Sequence, residues 1–171
     1  RLRLICDEIF GEKNFITNII WEKKNGVQND AKNISKNHEH IICYAKNLKE
    51  VRFNLLKRTD KQISRYKNID NDPRGSWVSV PLQAKSGSAT YSITFPNGVI
   101  WMPGKGTFPR LTRNSLLQAY NENRLWFGKN GNNIPSLKKY LSEVRKGVVS
   151  NSIWYNHVVG STQKSKEELK S

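Results

Sequence analysis

Between Asn68 and Trp77 the chain reads N-I-D-N-D-P-R-G-S-W. Pro73 fixes φ, Asn71 and Asp72 close Asx-turns, and Gly75 accepts a positive φ. The stretch therefore predicts a rigid corner that the elements on either side must accommodate. Turn chemistry does not account for Arg74 and Trp77 on either side of Gly75, with Arg65 and Tyr66 just upstream. A guanidinium and flat rings on a fixed turn are the parts that grip phosphate or stack on bases. The plainer reading is an exposed turn whose Trp folds back onto a core.

Charge decides how that corner is read. The 171 residues carry a formal net charge of +15, and residues 73–150 hold eleven Lys/Arg against two Glu. Residues 46–72 add eight against four, whereas 1–45 hold seven against six and 151–171 three against two. The positive field belongs to the middle of the chain, and its natural partner is a polyanion.

The length suits one domain or a domain with attachments, and a 36% hydrophobic content suffices for a modest core. No apolar run is long enough to span a membrane, and R-L-R-L-I-C is neither a signal peptide nor a natural start, so a piece of something longer is expected. Cys6 and Cys43 lack C-x-x-C spacing and sit in apolar surroundings, which predicts reduced, buried thiols in a cytoplasmic protein.

Leu2, Leu4, Ile5, Ile9 and Phe10 fall at helical spacing before Gly11, a C-cap. N-F-I-T-N-I-I-W (14–21) and H-I-I-C-Y-A (40–45) predict neighbouring buried strands, joined by a long polar loop that is either mobile or ordered by a ligand. Residues 46–67 read as partly helical, with Thr59 or Asp60 capping a short basic helix. Residues 91–102 predict a hairpin around Pro96-Asn97-Gly98, and 103–112 a loop. Thr112 caps a helix with Leu116, Leu117 and Tyr120 inward, and 124–128 and 135–140 read as strands. The class is α+β: a small mixed domain of short strands, a hairpin and short helices.

Several familiar motifs fail. Gly98 to Lys105 has glycines one residue too far apart for a phosphate-binding loop, and its Lys is followed by Gly106. His38-Glu39-His40 lacks the spacing that places two imidazoles on one helical face, so a structural role is expected and no metal site. Residues 73–150 contain only Glu122 and Glu143 as carboxylates, poor material for acid–base chemistry.

Six ordered blocks are more specific. H-E-H-I-I-C-Y-A-K-N (38–47), R-Y-K-N-I-D-N-D-P-R-G-S-W (65–77), F-P-N-G-V-I-W-M-P-G-K-G (95–106), R-L-W-F-G-K-N-G (124–131), K-K-Y-L-S-E-V (138–144) and S-I-W-Y (152–155) together resemble the Mod subunit of type III restriction–modification systems. Those are adenine-N6 DNA methyltransferases of the β motif order, dependent on S-adenosylmethionine. In that family a D-P-P-Y-type catalytic motif lies upstream and an F-x-G-x-G cofactor motif downstream, and this chain has neither. Asp72-Pro73-Arg74-Gly75 lacks the second Pro and the ring of the catalytic motif. The resemblance implies that residues 1–45 close the catalytic half, an α/β methyltransferase core. It makes 46–150 the target-recognition domain and 151–171 a return segment toward the cofactor-binding half. It implies no activity for this stretch alone, no catalytic residue in it, and no cofactor of its own. After the hairpin the family has a bulkier aromatic-plus-Arg element where this chain reads G-K-G-T-F-P-R.

The implied partners are double-stranded DNA, a second Mod subunit and the restriction (Res) subunit, with no membrane. Methylating a paired adenine requires taking it out of the stack, with cations on phosphates and side chains on base edges. The phosphate candidates are Lys57, Arg58, Arg74, Lys85, Lys105, Lys129, Lys138 and Lys139. Base readers are sought on the loops 83–88, 105–113 (with Arg110 and Arg113) and 129–133 (with Asn130). Lys23, Lys24 and Asn25 would border the target-base pocket. Two other readings compete: an RNA- or single-strand-binding module, which requires exposed Trp77 and Tyr66 rings, and a subunit-interaction module.

Overall fold

The computed structural model describes residues 1–170. The first elements in chain order are α1 (Leu2–Phe10), β1 (Phe15–Glu22), β2 (His38–Tyr44), α2 (Asp60–Ile63), β3 (Trp77–Pro81), β4 (Gln83–Ala84), β5 (Ile93–Thr94) and β6 (Ile100–Trp101). Then follow β7 (Phe108–Pro109), α3 (Arg113–Asn121), β8 (Leu125–Trp126), β9 (Ser136–Tyr140), β10 (Ile153–Trp154), α4 (Asn156–Val159) and α5 (Thr162–Glu168). The class is α+β, as its mixed short elements predict. The chain forms two compact units, Arg1–Leu56 with the segment from Gly147 onward, and Lys57–Lys146.

In the first unit β1 pairs antiparallel with β2 and parallel with β10, giving the order β10-β1-β2. β-Branched residues suit the pleat, and Ile19 is the buried member of β1. The other expected burial is absent: no residue of β2 is buried, and Leu2, Leu4, Ile5, Ile9 and Phe10 of α1 all remain exposed. Cys6 and Cys43 are free thiols but half-buried rather than buried. No helix among the described residues is long and apolar enough to cross a membrane.

The second unit has a genuine core. Leu82, Ile93, Phe95, Trp101, Leu116, Ala119 and Leu125 form one buried cluster, with Tyr120 stacked on Phe95 at 5.6 Å and Phe127 edge-on to it at 5.2 Å. The β5–β6 hairpin contributes Ile93, Phe95 and Trp101 to the cluster, α3 contributes Leu116 and Ala119, and β8 contributes Leu125. Thr112 caps α3 through its hydroxyl and Thr59 makes a full capping box with Gln62 on α2. The inward face of α3 is Leu116 and Ala119; Leu117 points outward, one position off the expected phase. The predicted hairpin is β5–β6, and the expected loop after it contains β7, which pairs with β4.

Candidate nucleic-acid interface

The corner at 68–77 is built around a buried carboxylate. Asn68 clasps the backbone of Asp72, accepting from its N–H at 2.8 Å and donating to its carbonyl at 3.0 Å, while Asn71 takes φ 53° and Gly75 φ 94°. Asp72 Oδ1 accepts from the Arg74 backbone N–H (3.1 Å) and Nε (2.8 Å). Its Oδ2 accepts from Arg74 Nη2 (2.8 Å), Tyr140 OH (2.8 Å) and Lys138 Nζ (3.0 Å). Lys138 Nζ also reaches Asp70 Oδ2 at 2.5 Å, and Trp77 Nε1 donates to Asp70 Oδ1 at 2.8 Å. The Arg74 hydrogen bonds hold the Asp72 carboxyl well below the usual range, against a burial that pushes it up; the donors from Tyr140 and Lys138 add to the lowering. Burial of Asp70 raises its carboxyl, but the hydrogen bonds from Lys138 and Trp77 outweigh it and the net shift is downward.

Two of the phosphate candidates, Arg74 and Lys138, have their partners inside the fold. Lys138 is 2% exposed with its ammonium between two carboxylates, and the Arg74 guanidinium is filled by Asp72 and by the carbonyls of Glu122 (2.9 Å) and Asn123 (3.0 Å). Turning either cation to a phosphate would strip the buried Asp72 of one of its two charged partners. Arg74 is instead a latch between the corner and the end of α3. Trp77, required at the surface by a stacking platform, is 4% exposed and packs on Trp126 at 5.5 Å, and Tyr66 is half-buried.

A second pairing leaves no local trace in the sequence. Arg124 donates to both oxygens of Glu143 (2.7 and 3.0 Å) and to Glu122 (3.0 Å), so the two acids of the basic stretch are held by one arginine. Those bonds hold the Glu143 carboxyl low. For Lys138 a signal exists: on a strand it shares parity with Tyr140, and Lys139 takes the opposite face.

The other candidates are displayed rather than spent. Lys57, Lys85, Lys105, Arg110, Arg113, Lys129, Asn130 and Lys139 are exposed, and none of these cations makes an ion pair among the described residues. Arg58 is half-buried and donates to the Arg145 carbonyl at 3.0 Å. The β4–β7 ladder sets the loops 85–90 and 103–107 side by side, so Lys85 and Lys105 belong to neighbouring loops. Gln83 Oε1 accepts from Gly104 N–H (3.1 Å), Thr107 Oγ1 donates to Gly104 O (2.6 Å), and Arg110 Nε donates to Gln83 O (2.9 Å). Asn97 Nδ2 donates to Gly131 O (3.1 Å) and ties the hairpin turn to the loop carrying Lys129 and Asn130. Arg110 and Lys139 line an open groove of about 430 Å³ with Glu122, Arg124 and Glu143.

Lys23, Lys24 and Asn25 lie in the other unit, where β1 ends. They line a hollow of about 580 Å³ with Gln28, Thr162 and Lys166. Lys23 pairs with Glu39, and Asn25 Oδ1 accepts from Asn156 Nδ2 at 2.5 Å. The long polar loop is closed by its own hydrogen bonds, Asn37 Nδ2 to Gly26 O (2.5 Å) and Gln28 N–H to Ser35 Oγ (2.9 Å). His38 and His40 share a face with rings 5.2 Å apart; among the described residues no group of three or more His, Cys, Asp or Glu is placed to hold a metal.

A family model described as DNA methylase matches residues 1–170. The chain belongs to the DNA methylase family. Within it, the chain is 32% identical over 177 residues to the Mod subunit of the type III restriction–modification enzyme StyLTI of Salmonella typhimurium, covering 98% of this chain and 26% of that relative. It is 41% identical over 69 residues to the EcoP15I Mod subunit of Escherichia coli, covering 40% of this chain and 10% of the relative. A type II methyltransferase, M.EcaI of Enterobacter cloacae, is 29% identical over 83% of this chain and 30% of its own length. This chain thus spans about a quarter of the length of the StyLTI subunit it matches, and the likeness to that subunit holds along nearly all of the chain.

Proposed function

We propose that the unit Lys57–Lys146, within the 46–150 region read from the sequence, is the target-recognition domain of an adenine-N6 DNA methyltransferase of a type III restriction–modification system, and that it binds double-stranded DNA. One observation carries this: the unit holds sixteen Lys/Arg against five Asp/Glu, and four of those acids are tied to Arg74, Lys138 and Arg124. Pairing inside the fold removes the acids from the surface balance, so the displayed loops meet a partner almost purely as cations. A duplex with its two rows of phosphates is the matching surface. The buried Trp77 speaks against a single-strand stacking platform.

The StyLTI and EcoP15I relatives are each named as the Mod subunit of a type III restriction–modification enzyme, which supports a subunit setting; on this reading the intact enzyme works in the cytoplasm with a second Mod subunit and the Res subunit. S-adenosylmethionine belongs to that intact enzyme. The hollow beside Lys23 and Lys24 offers lysines, amides and hydroxyls but no carboxylate for a ribose and no ring for an adenine. The lining of this hollow does not fit the cofactor.

The test is binding of the chain to a pool of duplexes at several salt concentrations, with recovery of enriched sequences. About six neutralised phosphates give a log–log slope of roughly −5, and a short asymmetric site should be enriched. A flat salt response would sink the proposal.

A further inference from the structure

The β5–β6 hairpin divides its side chains cleanly between two faces. Ile93, Phe95 and Trp101 are buried at 2%, 2% and 4% exposure, whereas Ile100 and Met102 on the outer face are 68% and 67% exposed. Isolated exposed apolar residues are ordinary. Ile100 on β6 and Met102 just past its end flank the buried Trp101, so the two are displayed together as a ridge. The ridge is braced: Phe95 N–H donates to Val99 O (2.9 Å), Gly98 N–H to Phe95 O (2.9 Å), and Asn97 to the neighbouring loop. Beyond Met102 the chain passes through buried Pro103 into the Gly104–Thr107 turn, which displays Lys105.

We propose that Ile100 and Met102 are an apolar wedge that fills an opened base step of duplex DNA while Lys105 holds an adjoining phosphate. The inference rests on the DNA reading above. A partner covering this ridge meets cations at Lys105 and, through the β4–β7 ladder, at Lys85, while Asp70, Asp72, Glu122 and Glu143 of the same unit are already paired with Arg74, Lys138 and Arg124. An apolar protein surface would satisfy the ridge but not those charges. A base stack lying between rows of phosphates satisfies both, and Ile and Met wedges keep such steps unstacked. An enzyme that takes a base out of the helix creates the opening.

The experiment compares the full chain with an Ile100→Ser/Met102→Ser double variant, Met102→Gln and Lys105→Ala. Each is titrated at several salt concentrations against a perfect duplex and the same duplex with one central mismatch. The wild-type chain should prefer the mismatched duplex by about tenfold, since an opened step costs less to unstack. The double variant should lose that preference with its salt slope intact, Met102→Gln should lose part of it, and Lys105→Ala should keep it while the slope falls by about one. All three residues are exposed, so urea midpoints should not move. Salt-dependent binding without any mismatch preference, or a preference that survives in the double variant, overturns the wedge and leaves the DNA reading standing. Salt-independent or absent binding to both duplexes overturns both.

Discussion

Lys138 places its ammonium 3.0 Å from Asp72, a residue 66 positions earlier, with both side chains removed from solvent. This pair sits inside a larger cluster with Arg74, Asp70 and Tyr140, in which each buried polar atom has a partner. Its energetic character follows from that completeness: intact, a buried cluster offsets its own desolvation, and broken it leaves a charge with nowhere to go.

Lys138→Met should therefore destabilise the chain by about 3–5 kcal/mol, as should Asp72→Ala, and the double change should cost less than the sum of the two. Urea unfolding measures all three. A loss under about 1 kcal/mol for either single variant would show that the cluster does not hold the corner. Arg124→Ala makes the contrast, because its partners are 43% exposed and the loss there should be nearer 1 kcal/mol.

The same carboxylates set an acid limit. Asp72 is held low chiefly by Arg74, Glu143 chiefly by Arg124, and Asp70 by Lys138 and Trp77 against its own burial. A carboxyl with a depressed folded-state pKa binds protons more readily when unfolded, so its stabilisation is full above the unfolded value, near 4, and drains away as pH falls below it. The urea midpoint should stay level from pH 8 to about 5 and drop steadily below about 4. Asp72→Asn, although less stable at neutral pH, should show a shallower acid drop. An acid profile of equal steepness in wild type and variant would remove Asp72 as its source.

Displayed and spent cations should separate in DNA binding. Replacing Lys85, Lys105 or Lys129 by Ala should weaken binding to every duplex alike and reduce the salt slope by about one for each phosphate no longer neutralised, with no change in the urea midpoint. Arg74→Ala should lower stability, and at temperatures where it is folded its salt slope should match wild type. A fall in the slope for Arg74→Ala without a loss of stability would return Arg74 to the interface.

Local rules carry well in this chain, and long-range pairing does not. Thr59, Thr112 and the Pro96-Asn97-Gly98 turn announce their elements because capping and turn chemistry act within four residues. The corner is equally legible as a corner, but the fate of Arg74 depends on carbonyls 48 and 49 positions away and that of Lys138 on an Asp 66 away. Lysine is so seldom buried that composition assigns it to the surface, and only the parity of Lys138 with Tyr140 in β9 argues otherwise. In α3, Leu117 reads as inward because three apolar residues fit a helical stripe loosely, whereas small Ala119 is what lets α3 pack against Leu82 and Leu125. The side-by-side placement of Lys85 and Lys105 comes from β4–β7, two-residue strands too short to leave a periodic trace.

Trp77 offers a last discrimination, because its ring and its N–H do different things. The ring is buried against Trp126, with Lys138 Nζ 5.6 Å from its centroid, and the N–H donates to Asp70. Trp77→Phe keeps an aromatic body but strips Asp70 of one side-chain donor, leaving Lys138 as the side chain that holds it. The expected cost is about 1–3 kcal/mol, the range for leaving a charged acceptor short of a partner. Binding to a single-stranded oligonucleotide should not change, since a ring 4% exposed has no face to offer a base. A stacking platform would give the reverse: about 1–3 kcal/mol lost in single-strand affinity and an unmoved urea midpoint. Measuring both quantities on the one variant separates a tryptophan that anchors the corner from one that reads nucleic acid.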